Sequence, residues 1–458
     1  MYQTLLILEV ISPLLAALLL IFSNAKVYKR TLLPIAQTFG VGSSIAIFAH
    51  TSQGIRISLT VGGWDSIYGI EVAANHYTAI MLLLLNTVTA LTVLHSFQKD
   101  RESFFYSILM LCHAGLSGMV ISNDLFNIYV FLELSSLASY TLVATKGTQE
   151  SYKAAFEYLI IGTISATFYL IGIGLIYAVT GHLNVGIITS MSDIILSSHI
   201  GRAGATLVVL GIIGKCALFP LHFWLVRCYS STSTTVAAFL SGVSSKVGLY
   251  LLAKFVYTII GARVLVLSGF PLNIVILVLS TLAIFVCGLQ AITTQDVRQM
   301  LSYSSISQIG YISLTLSLGS DYSVSVAMLQ MLAHAVTKSG LFMLAGGAIH
   351  QTERRHKQSA MRKIYLLVAT LSLAGIPLTS GFLGKLELLL LTVHMHHYLT
   401  LLILIIGSII TAIYSWKIFN ALHKFEAGNS ILYHISMSAL SLINIAIPLT
   451  SGFFLKLI

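Results

Sequence analysis

The stretch GIIGKCALFPLHFWL, residues 211–225, places a single lysine inside a long apolar segment. Two glycines come before Lys215, and Pro220 follows it by five residues. Proline removes a helix hydrogen bond and clashes with the preceding turn, so the pattern predicts a helix that breaks just after the lysine. Broken helices at membrane depth expose backbone groups to water and are typical of transporter ion sites. The stretch therefore predicts a broken membrane helix with an ionisable group beside the break.

The composition of the whole chain requires a lipid environment. Of 458 residues, 57% are hydrophobic and only 9% are charged, and the mean hydropathy is +0.91. A soluble chain carries about 25% charged residues, so this one could not cover its surface in water. The net charge of +10 indicates basic membrane loops in preference to a nucleic-acid surface. The four cysteines lie scattered in apolar stretches without a CxxC spacing, which favours small buried side chains over disulfides or metal ligands.

Fourteen segments are long and apolar enough to cross a bilayer, which needs about 20 residues each. They are residues 3–23, 32–50, 73–95, 103–122, 125–145, 155–180, 205–226, 234–259, 264–290, 300–318, 323–349, 363–392, 398–420 and 431–455. The sequence therefore predicts an all-α membrane protein in which residues 1–458 form one polytopic transmembrane domain.

The distribution of basic residues predicts the orientation of these segments. Loops after odd-numbered segments, counted together with Lys363 and Lys417 at the segment ends, hold sixteen lysines and arginines, whereas loops after even-numbered segments and the C-terminal end hold four. By the positive-inside rule the odd loops are cytoplasmic, and both termini lie on the outer or periplasmic side. The expected location is the cell (inner) membrane.

The remaining five of the 25 basic residues lie farther inside the segments, and all five are lysines. Lys254 is near a helix end, where its side chain can reach the interface, and we set it aside. The other four, Lys215, Lys246, Lys338 and Lys385, sit well inside their segments, as does Glu133. Each costs about 2.5–3.5 kcal/mol at the bilayer centre even on the mild insertion scale. Because a desolvated lysine can release its proton and arginine cannot, the choice of lysine favours a proton relay over static ion pairs between helices.

A histidine and a glutamate near the interior lysines extend this relay. His334 and Lys338 are four residues apart in MLAHAVTKSGLFMLAG and therefore share one helix face. A single histidine in a helix could be an ordinary core residue. The lysine on the same face favours a relay role for it. Lys246 lies in the segment after that of Lys215 and could connect two half-sites. Glu387 follows Lys385 closely and is a possible outlet group.

A second break predicts an internal repeat. In AGIPLTSGFLGKLELL, residues 374–389, Pro377 interrupts the segment and Lys385 follows. The broken segments are the seventh and twelfth, five apart, so segments 4–8 (103–259) and 9–13 (264–420) predict two five-helix repeats. Five is odd, so the second repeat must be inverted in the membrane, as in secondary transporters. Helices 1–3 (1–95) and the last helix (431–455) lie outside the repeats.

Other kinds of chemistry have little support in the sequence. Its glycines are dispersed and form no nucleotide-binding fingerprint, and no paired-histidine spacing recurs for haem, so no cofactor is expected. The histidines of HMHH, residues 394–397, could bind a metal, although a solvated loop is the simpler interpretation. The sequence indicates no catalytic chemistry of its own, and an enzymatic role would come only from membership of a larger complex.

Seven motifs resemble, in this order, the antiporter-like subunits shared by respiratory complex I, membrane-bound hydrogenases and Mrp cation/proton antiporters. They are NDLFNIYVFLELSSLASY (123–140), TFYLIGIGLIYAVTGHLNV (167–185), GKCALFPLHFWL (214–225), AFLSGVSSKVGLYLL (238–252), DVRQMLSYSSISQIGYI (296–312), HAVTKSGLFMLAGG (334–347) and GIPLTSGFLGKLELL (375–389). The likeness covers nearly the whole chain and is strongest to the D-type subunits of the Mrp antiporters. It departs at VRCYSSTSTT, residues 226–235, where the family typically continues Pro-Asp-Ala-His.

The resemblance implies a role for each interior group. Glu133 and Lys215 match the family's modulating pair, and Lys246 matches the lysine of the eighth span. The polar group of the eleventh span falls on the His334/Lys338 region, and Lys385 matches the terminal residue of the twelfth. The implied function is a proton-translocating subunit of a multisubunit Na⁺/H⁺ antiporter, with other membrane subunits, protons and Na⁺ as partners. A proton-pumping subunit of complex I and an inactive structural scaffold stay open as alternatives.

Overall fold

A computed structural model describes residues 1–22, 24–65, 69–98, 101–261, 272–346, 360–424 and 430–449. Within these ranges the chain is mainly helical. The first helices are α1 (Tyr2–Ile21), α2 (Lys26–Thr51), α3 (His76–Ser96), α4 (Ser103–Ile121), α5 (Leu125–Ala144), α6 (Gln149–Thr180), α7 (Val185–Ser190), α8 (Ser192–Ser197) and α9 (His199–Cys216). The following ones are α10 (Phe223–Ser231), α11 (Thr234–Gly261), α12 (Leu272–Thr293), α13 (Val297–Ser317), α14 (Asp321–Leu344), α15 (Ala360–Ala374), α16 (Ser380–His394), α17 (Tyr398–Leu422) and α18 (Ile431–Leu449).

The long apolar helices confirm a multi-pass membrane protein. In the described part of the chain, eleven helices are long and apolar enough to cross a membrane: α1 to α6, α9, α11, α12, α17 and α18. The three other predicted segments correspond to α13, α14 and the pair α15 and α16. The first two are less apolar because they carry buried polar side chains, which a helix can hold where neighbouring helices supply hydrogen bonds.

Both predicted helix breaks are confirmed. One helix ends at Cys216 and the next begins at Phe223, with Pro220 between them. In the later segment α15 ends at Ala374 and α16 begins at Ser380. Proline cannot continue the helical hydrogen bonding in either interval, so the sequence pattern and the observed ends have the same cause.

The connections contain structure that the all-α prediction missed. Strands β1 (Ile57–Thr60) and β2 (Glu71–Ala74) pair antiparallel in the connection after α2. These short segments contain the β-branched residues that favour strands, and a four-residue strand is below the length that sequence periodicity detects. The predicted loop at 181–204 also contains two short helices, the first capped by the Asn184 side chain on Gly186 N at 2.8 Å.

The chain forms two compact units. The first comprises Met1–Ala90, Asp100–Cys216 and Ser244–Asn273, and the second comprises Leu91–Lys99, Ala217–Val243 and Ile274–Ile458. In the first unit α6 packs on α9 through glycines, since a Cβ on Gly172 would lie 2.7 Å from the Gly204 carbonyl oxygen. Such small residues let membrane helices approach closely. In the second unit α13 packs against α12, α14 and α17 around an apolar cluster that includes Leu314 and Leu404.

Candidate functional site

Lys215 is held by serine hydroxyls in the first unit. It is the penultimate residue of α9, beside the helix break, and its side chain is 4% exposed. Its Nζ donates to Ser136 Oγ at 2.7 Å and to Ser135 Oγ at 3.3 Å, both on α5. The lysine therefore has neutral oxygen acceptors, which suit both the charged ammonium and the neutral amine because each form has N–H donors.

Glu133 lies on the same helix as these serines, two residues before Ser135. It is half-buried, and it interacts electrostatically with Lys215. Among the described residues there is no direct ion pair between Glu133 and Lys215, since the ammonium group bonds to the serines. A close approach of the two groups, within a few ångströms or through one water molecule, stays a prediction.

Lys246 lies in the same unit on α11 and is fully buried. Its Nζ is 3.2 Å from Ser245 Oγ. A π turn at Leu240–Ser244 precedes Lys246 in the same helix. Turns of this kind inside α-helices are frequent at functional sites. Two residues later Gly248 packs on α9, since a Cβ there would lie 2.9 Å from Cys216 Cβ. The contact between Cys216 on α9 and Gly248 on α11 is thus one residue from Lys215 and two residues from Lys246.

Lys254, which the sequence analysis set aside, differs from the interior lysines. It lies one to two turns before the end of α11, and its Nζ donates to the Ser122 carbonyl oxygen at 2.6 Å. It is only partly buried. This position at a helix end makes Lys254 a useful control for the interior lysines.

Lys338 is the fully buried lysine of the second unit. Its Nζ donates to Ser304 Oγ and to the Leu301 carbonyl oxygen, the latter at 3.1 Å, and both acceptors lie on α13. His334 lies one turn earlier on α14 and is 5% exposed. The predicted stripe on one face of this helix is therefore buried within the unit.

A small cavity is lined by both His334 and Lys385. Its volume is about 30 Å³, and its lining includes Gln308, Gln330, His334, Thr337, Ser372 and Lys385. A water molecule needs roughly 10–15 Å³ of such volume together with polar partners. The cavity can therefore hold about two water molecules between the histidine and the lysine.

Lys385 binds the end of the broken helix. Its Nζ donates to the Ala374 carbonyl oxygen at 3.0 Å, and Ala374 is the last residue of α15. It also lies over the Tyr311 ring, 5.4 Å from the centroid. The last carbonyls of a helix have no partner within the helix and form the negative end of its dipole. The break thus supplies the acceptor for the lysine.

Asn444 on α18 organises this break, and the sequence analysis missed it. Its Oδ1 accepts hydrogen bonds from Ser380 Oγ at 2.6 Å, Ser372 Oγ at 3.0 Å and Thr337 Oγ1 at 3.1 Å. These hydroxyls belong to α16, α15 and α14. The available signal was a lone asparagine in the apolar run SLINIAI, residues 441–447.

We expect Asn444→Leu to lower the free energy of unfolding by about 1–3 kcal/mol, because the three buried hydroxyls lose the Asn444 oxygen and are left with one another as partners. The measurement is SDS-induced unfolding of the purified protein in detergent. Ile445→Leu is the matched control, since this neighbouring side chain is 39% exposed and can stay in lipid. Equal stability of the two variants would contradict the organising role of Asn444.

The segment that departs from the family pattern, residues 226–235, contains the C-terminal part of α10. Arg298 Nη1 donates to the carbonyl oxygens of Ser230 at 2.9 Å and Thr232 at 2.7 Å, at the C-terminal end of this helix. Arg298 lies between the ninth and tenth predicted segments, yet its side chain is only 6% exposed. A basic side chain at this end stabilises both the orphan carbonyls and the helix dipole.

The described residues offer no metal centre. They contain no group of three side chains from the usual metal-binding types. In the HMHH stretch, His396 Nδ1 is 3.1 Å from Tyr398 Oη. All four cysteines are free and buried, as the sequence indicated.

These features define a class of protein: a multi-pass helical membrane protein with interior lysines placed at and near broken helices. Comparison with known families agrees with this class. The sequence model described as "NADH:quinone oxidoreductase/Mrp antiporter, TM" matches residues 122–411. The chain belongs to this family, and the resemblance inferred from the seven motifs is confirmed.

Individual relatives extend the match beyond that region. The N subunit of the NADH-quinone oxidoreductase of Desulforudis audaxviator is 34% identical over 437 residues, which cover 90% of this chain and 85% of the relative. The D subunit of the Na⁺/H⁺ antiporter of Bacillus subtilis is 32% identical over 405 residues, which cover 83% of this chain and 79% of the relative.

Two solved structures share the fold. A chain of the archaeal membrane-bound sulfane sulfur reductase complex has a TM-score of 0.89 and 26% identity, covering 100% of this chain and 96% of its own. A chain of the Mrp complex from a Dietzia species has a TM-score of 0.91 with the same coverage and 22% identity. The second likeness concerns the fold alone.

Proposed function

We propose that this chain is the proton-translocating subunit of a multisubunit Na⁺(cation)/H⁺ antiporter. The observation that carries the proposal is the set of acceptors around the interior lysines. The hydrogen bonds described for Lys215, Lys338 and Lys385 go to hydroxyl and carbonyl oxygens. These acceptors can bind either protonation state of a lysine, whereas a static ion pair needs a carboxylate that fixes the charge.

A proton-pumping membrane subunit of a complex I-type NADH-quinone oxidoreductase is the second candidate. The relative from Desulforudis audaxviator, named as the N subunit of such an enzyme, supports it, while the Bacillus subtilis relative is named an antiporter subunit. In either case the chain works in the cell membrane with other membrane subunits. A scaffold with inactive channels is the third candidate, and the cost of keeping four interior lysines counts against it.

The relay assigned to this function contains six residues. We assign Glu133 as the group that modulates the charge of Lys215, with Lys246 receiving the proton. His334 and Lys338 continue the relay in the second unit, and Lys385 is its terminal residue. The cavity lined by His334 and Lys385 supports the last step, because water held there can carry a proton between them.

The proposed topology has fourteen membrane passes within a single transmembrane domain, residues 1–458. Eleven are the long apolar helices, and α13, α14 and the broken pair α15/α16 supply the others. Residues 103–259 and 264–420 form the two inverted repeats, between the N-terminal helices (1–95) and the last helix (431–455), with both termini outside the cell. A proline within each helix break and a lysine beside it support the repeat.

The test is a comparison of two activities in inverted membrane vesicles. We would delete this chain, restore it with its neighbouring subunits, and measure both Na⁺-induced ΔpH and NADH-dependent quinone reduction. The antiporter assignment predicts that deletion removes the Na⁺-induced ΔpH and leaves quinone reduction unchanged. Loss of NADH-dependent quinone reduction on deletion would contradict the antiporter assignment and support the complex I assignment.

A further inference from the structure

A second buried polar cluster lies in the N-terminal helices of the first unit, outside the proposed relay. Glu9 on α1 is 1% exposed and His113 on α4 is 2% exposed. Asn86 on α3 bridges them, because its Nδ2 donates to Glu9 Oε2 at 2.7 Å and its Oδ1 is 3.0 Å from His113 Nε2. The bridge connects two ionisable groups whose positions in the sequence are more than a hundred residues apart.

A hydroxyl group stands at each end of this bridge. Ser43 Oγ is 2.5 Å from Glu9 Oε1 and 3.0 Å from the Gly40 carbonyl oxygen. At the other end, Thr89 Oγ1 is 3.0 Å from His113 Nδ1 and 2.7 Å from the Leu85 carbonyl oxygen. A hydroxyl has one proton, so each of these side chains can donate to only one of its two neighbours at a time.

At the Glu9 end, the hydroxyl accommodates both forms of the carboxyl group. When Glu9 is ionised, Ser43 donates to Oε1. When Glu9 is protonated, its O–H donates to Ser43 Oγ, and the serine turns to donate to the Gly40 carbonyl oxygen. Neither form leaves the carboxyl group without a partner, so a change of protonation avoids the cost of an unsatisfied buried group.

At the His113 end, the Thr89 hydroxyl likewise accommodates both forms of the imidazole at Nδ1. Asn86 Oδ1 is an acceptor, so the facing Nε2 of His113 carries hydrogen. A neutral ring then accepts from Thr89 at Nδ1. A charged ring donates from Nδ1 to Thr89 Oγ1, and the threonine donates to the Leu85 carbonyl oxygen. Both forms of the imidazole therefore keep their hydrogen bonds.

The helix packing leaves room for this bridge. A Cβ on Gly40 of α2 would lie 2.7 Å from Asn86 Oδ1, so only glycine accommodates the amide in this orientation. Ionisable groups on the packed elements have other partners: Lys29 (the Arg101 carbonyl), His50 (the Tyr2 ring), Cys112 (Ser139), Glu71 (Arg56) and Lys246 (Ser245). Glu133 is half-buried and interacts electrostatically with Lys215. Within the described residues, Glu9 and His113 are thus the ionisable pair of this cluster.

We propose that Glu9, Asn86 and His113 form a further proton-binding site, which holds one exchangeable proton on either the carboxylate or the imidazole. The loaded site has two forms with the same number of protons: Glu9 ionised with His113 charged, or both groups neutral. The exchangeable proton is on Nδ1 of His113 in the first form and on Oε1 of Glu9 in the second, with a rotation of each hydroxyl. Both loaded forms have zero net charge, which suits a buried site. In the empty site Glu9 is ionised and His113 is neutral, because the proton has left to the surrounding medium, so the amount of protonated Glu9 depends on pH. The proposal is independent of whether the chain serves an antiporter or a quinone oxidoreductase.

The test is infrared spectroscopy of the full-length chain within its complex, in lipid nanodiscs. The C=O stretching band of buried protonated carboxylic acids is recorded in H₂O and D₂O over about pH 5 to 9. We expect a band that shifts in D₂O, changes amplitude with pH and is absent in Glu9→Gln. Glu133→Gln is the matched control, and it leaves this band in place. A band assigned to Glu9 that is constant over this range, or no such band at any pH, overturns the proposal.

Conservative variants keep the test informative if Glu9→Gln does not assemble. Ser43→Ala removes the acceptor of the carboxylic O–H, so the band moves to higher wavenumber. His113→Gln removes the second proton position, and we expect the midpoint of the band's pH dependence to move by roughly one pH unit or more. An unchanged midpoint in His113→Gln would show that the carboxyl group titrates alone and that the proton is not shared.

Discussion

Lys215→Arg is expected to reduce cation-driven proton transport to background while the complex still assembles. Arginine keeps the positive charge and can donate to Ser135 and Ser136, but it cannot release a proton under any realistic burial. The measurement is Na⁺-induced ΔpH in vesicles that contain the full complex, and the amount of each subunit is quantified on the same membranes. Lys215→Ala gives the reference for complete loss of the group.

Transport at the wild-type rate by Lys215→Arg would contradict the relay role of this lysine. Position 215 would then supply a fixed positive charge, and the proton would travel by another route. A variant that fails to assemble is identified by the amounts of the subunits, so loss of transport is scored only for complexes that are present in the membrane.

Glu133→Gln is expected to depress transport by roughly tenfold or more, the effect of about 1.4 kcal/mol on one proton-transfer step. The neutral amide removes the negative charge that acts on Lys215 and keeps the shape of the side chain. Each pKa unit is worth about 1.36 kcal/mol, and moving one charge against 100 mV costs about 2.3 kcal/mol. A change of roughly two pKa units in a relay group therefore nearly matches that membrane potential.

The control for this prediction is Glu150→Gln. Glu150 is exposed in the first turn of α6, so its loss leaves the interior lysines unchanged. The same ΔpH measurement compares the two variants. Equal transport by Glu133→Gln and the wild type would show that the carboxylate does not modulate Lys215.

The sequence alone predicted the features that depend on local chemistry. Proline and glycine mark the helix breaks near Pro220 and Pro377, and both breaks occur where the helical hydrogen bonding must stop. Lysines in apolar segments are identifiable because a charge in lipid is costly and rare. The buried positions of Lys215, Lys246 and Lys338 agree with that reasoning.

Features that depend on contacts between distant segments were not predictable from one sequence. Lys338 donates a hydrogen bond to Ser304 on another helix, and Asn444 accepts hydrogen bonds from hydroxyls on three helices. Periodicity does not identify which serine faces which lysine. Glu9 and His113 were missed for the same reason, since each is a single polar residue in an apolar segment and only the fold brings Asn86 between them.

The most direct test of the lysine relay is one panel of five single Lys→Arg variants, at positions 215, 246, 254, 338 and 385, assayed together for the initial rate of Na⁺-induced ΔpH. Lys254 is the internal control because it lies near a helix end and binds the Ser122 carbonyl oxygen. The account predicts that the four interior variants lose transport, because arginine holds its proton, while Lys254→Arg stays near the wild-type rate. Wild-type transport by all five variants would contradict it, since the lysines would then serve only as fixed charges.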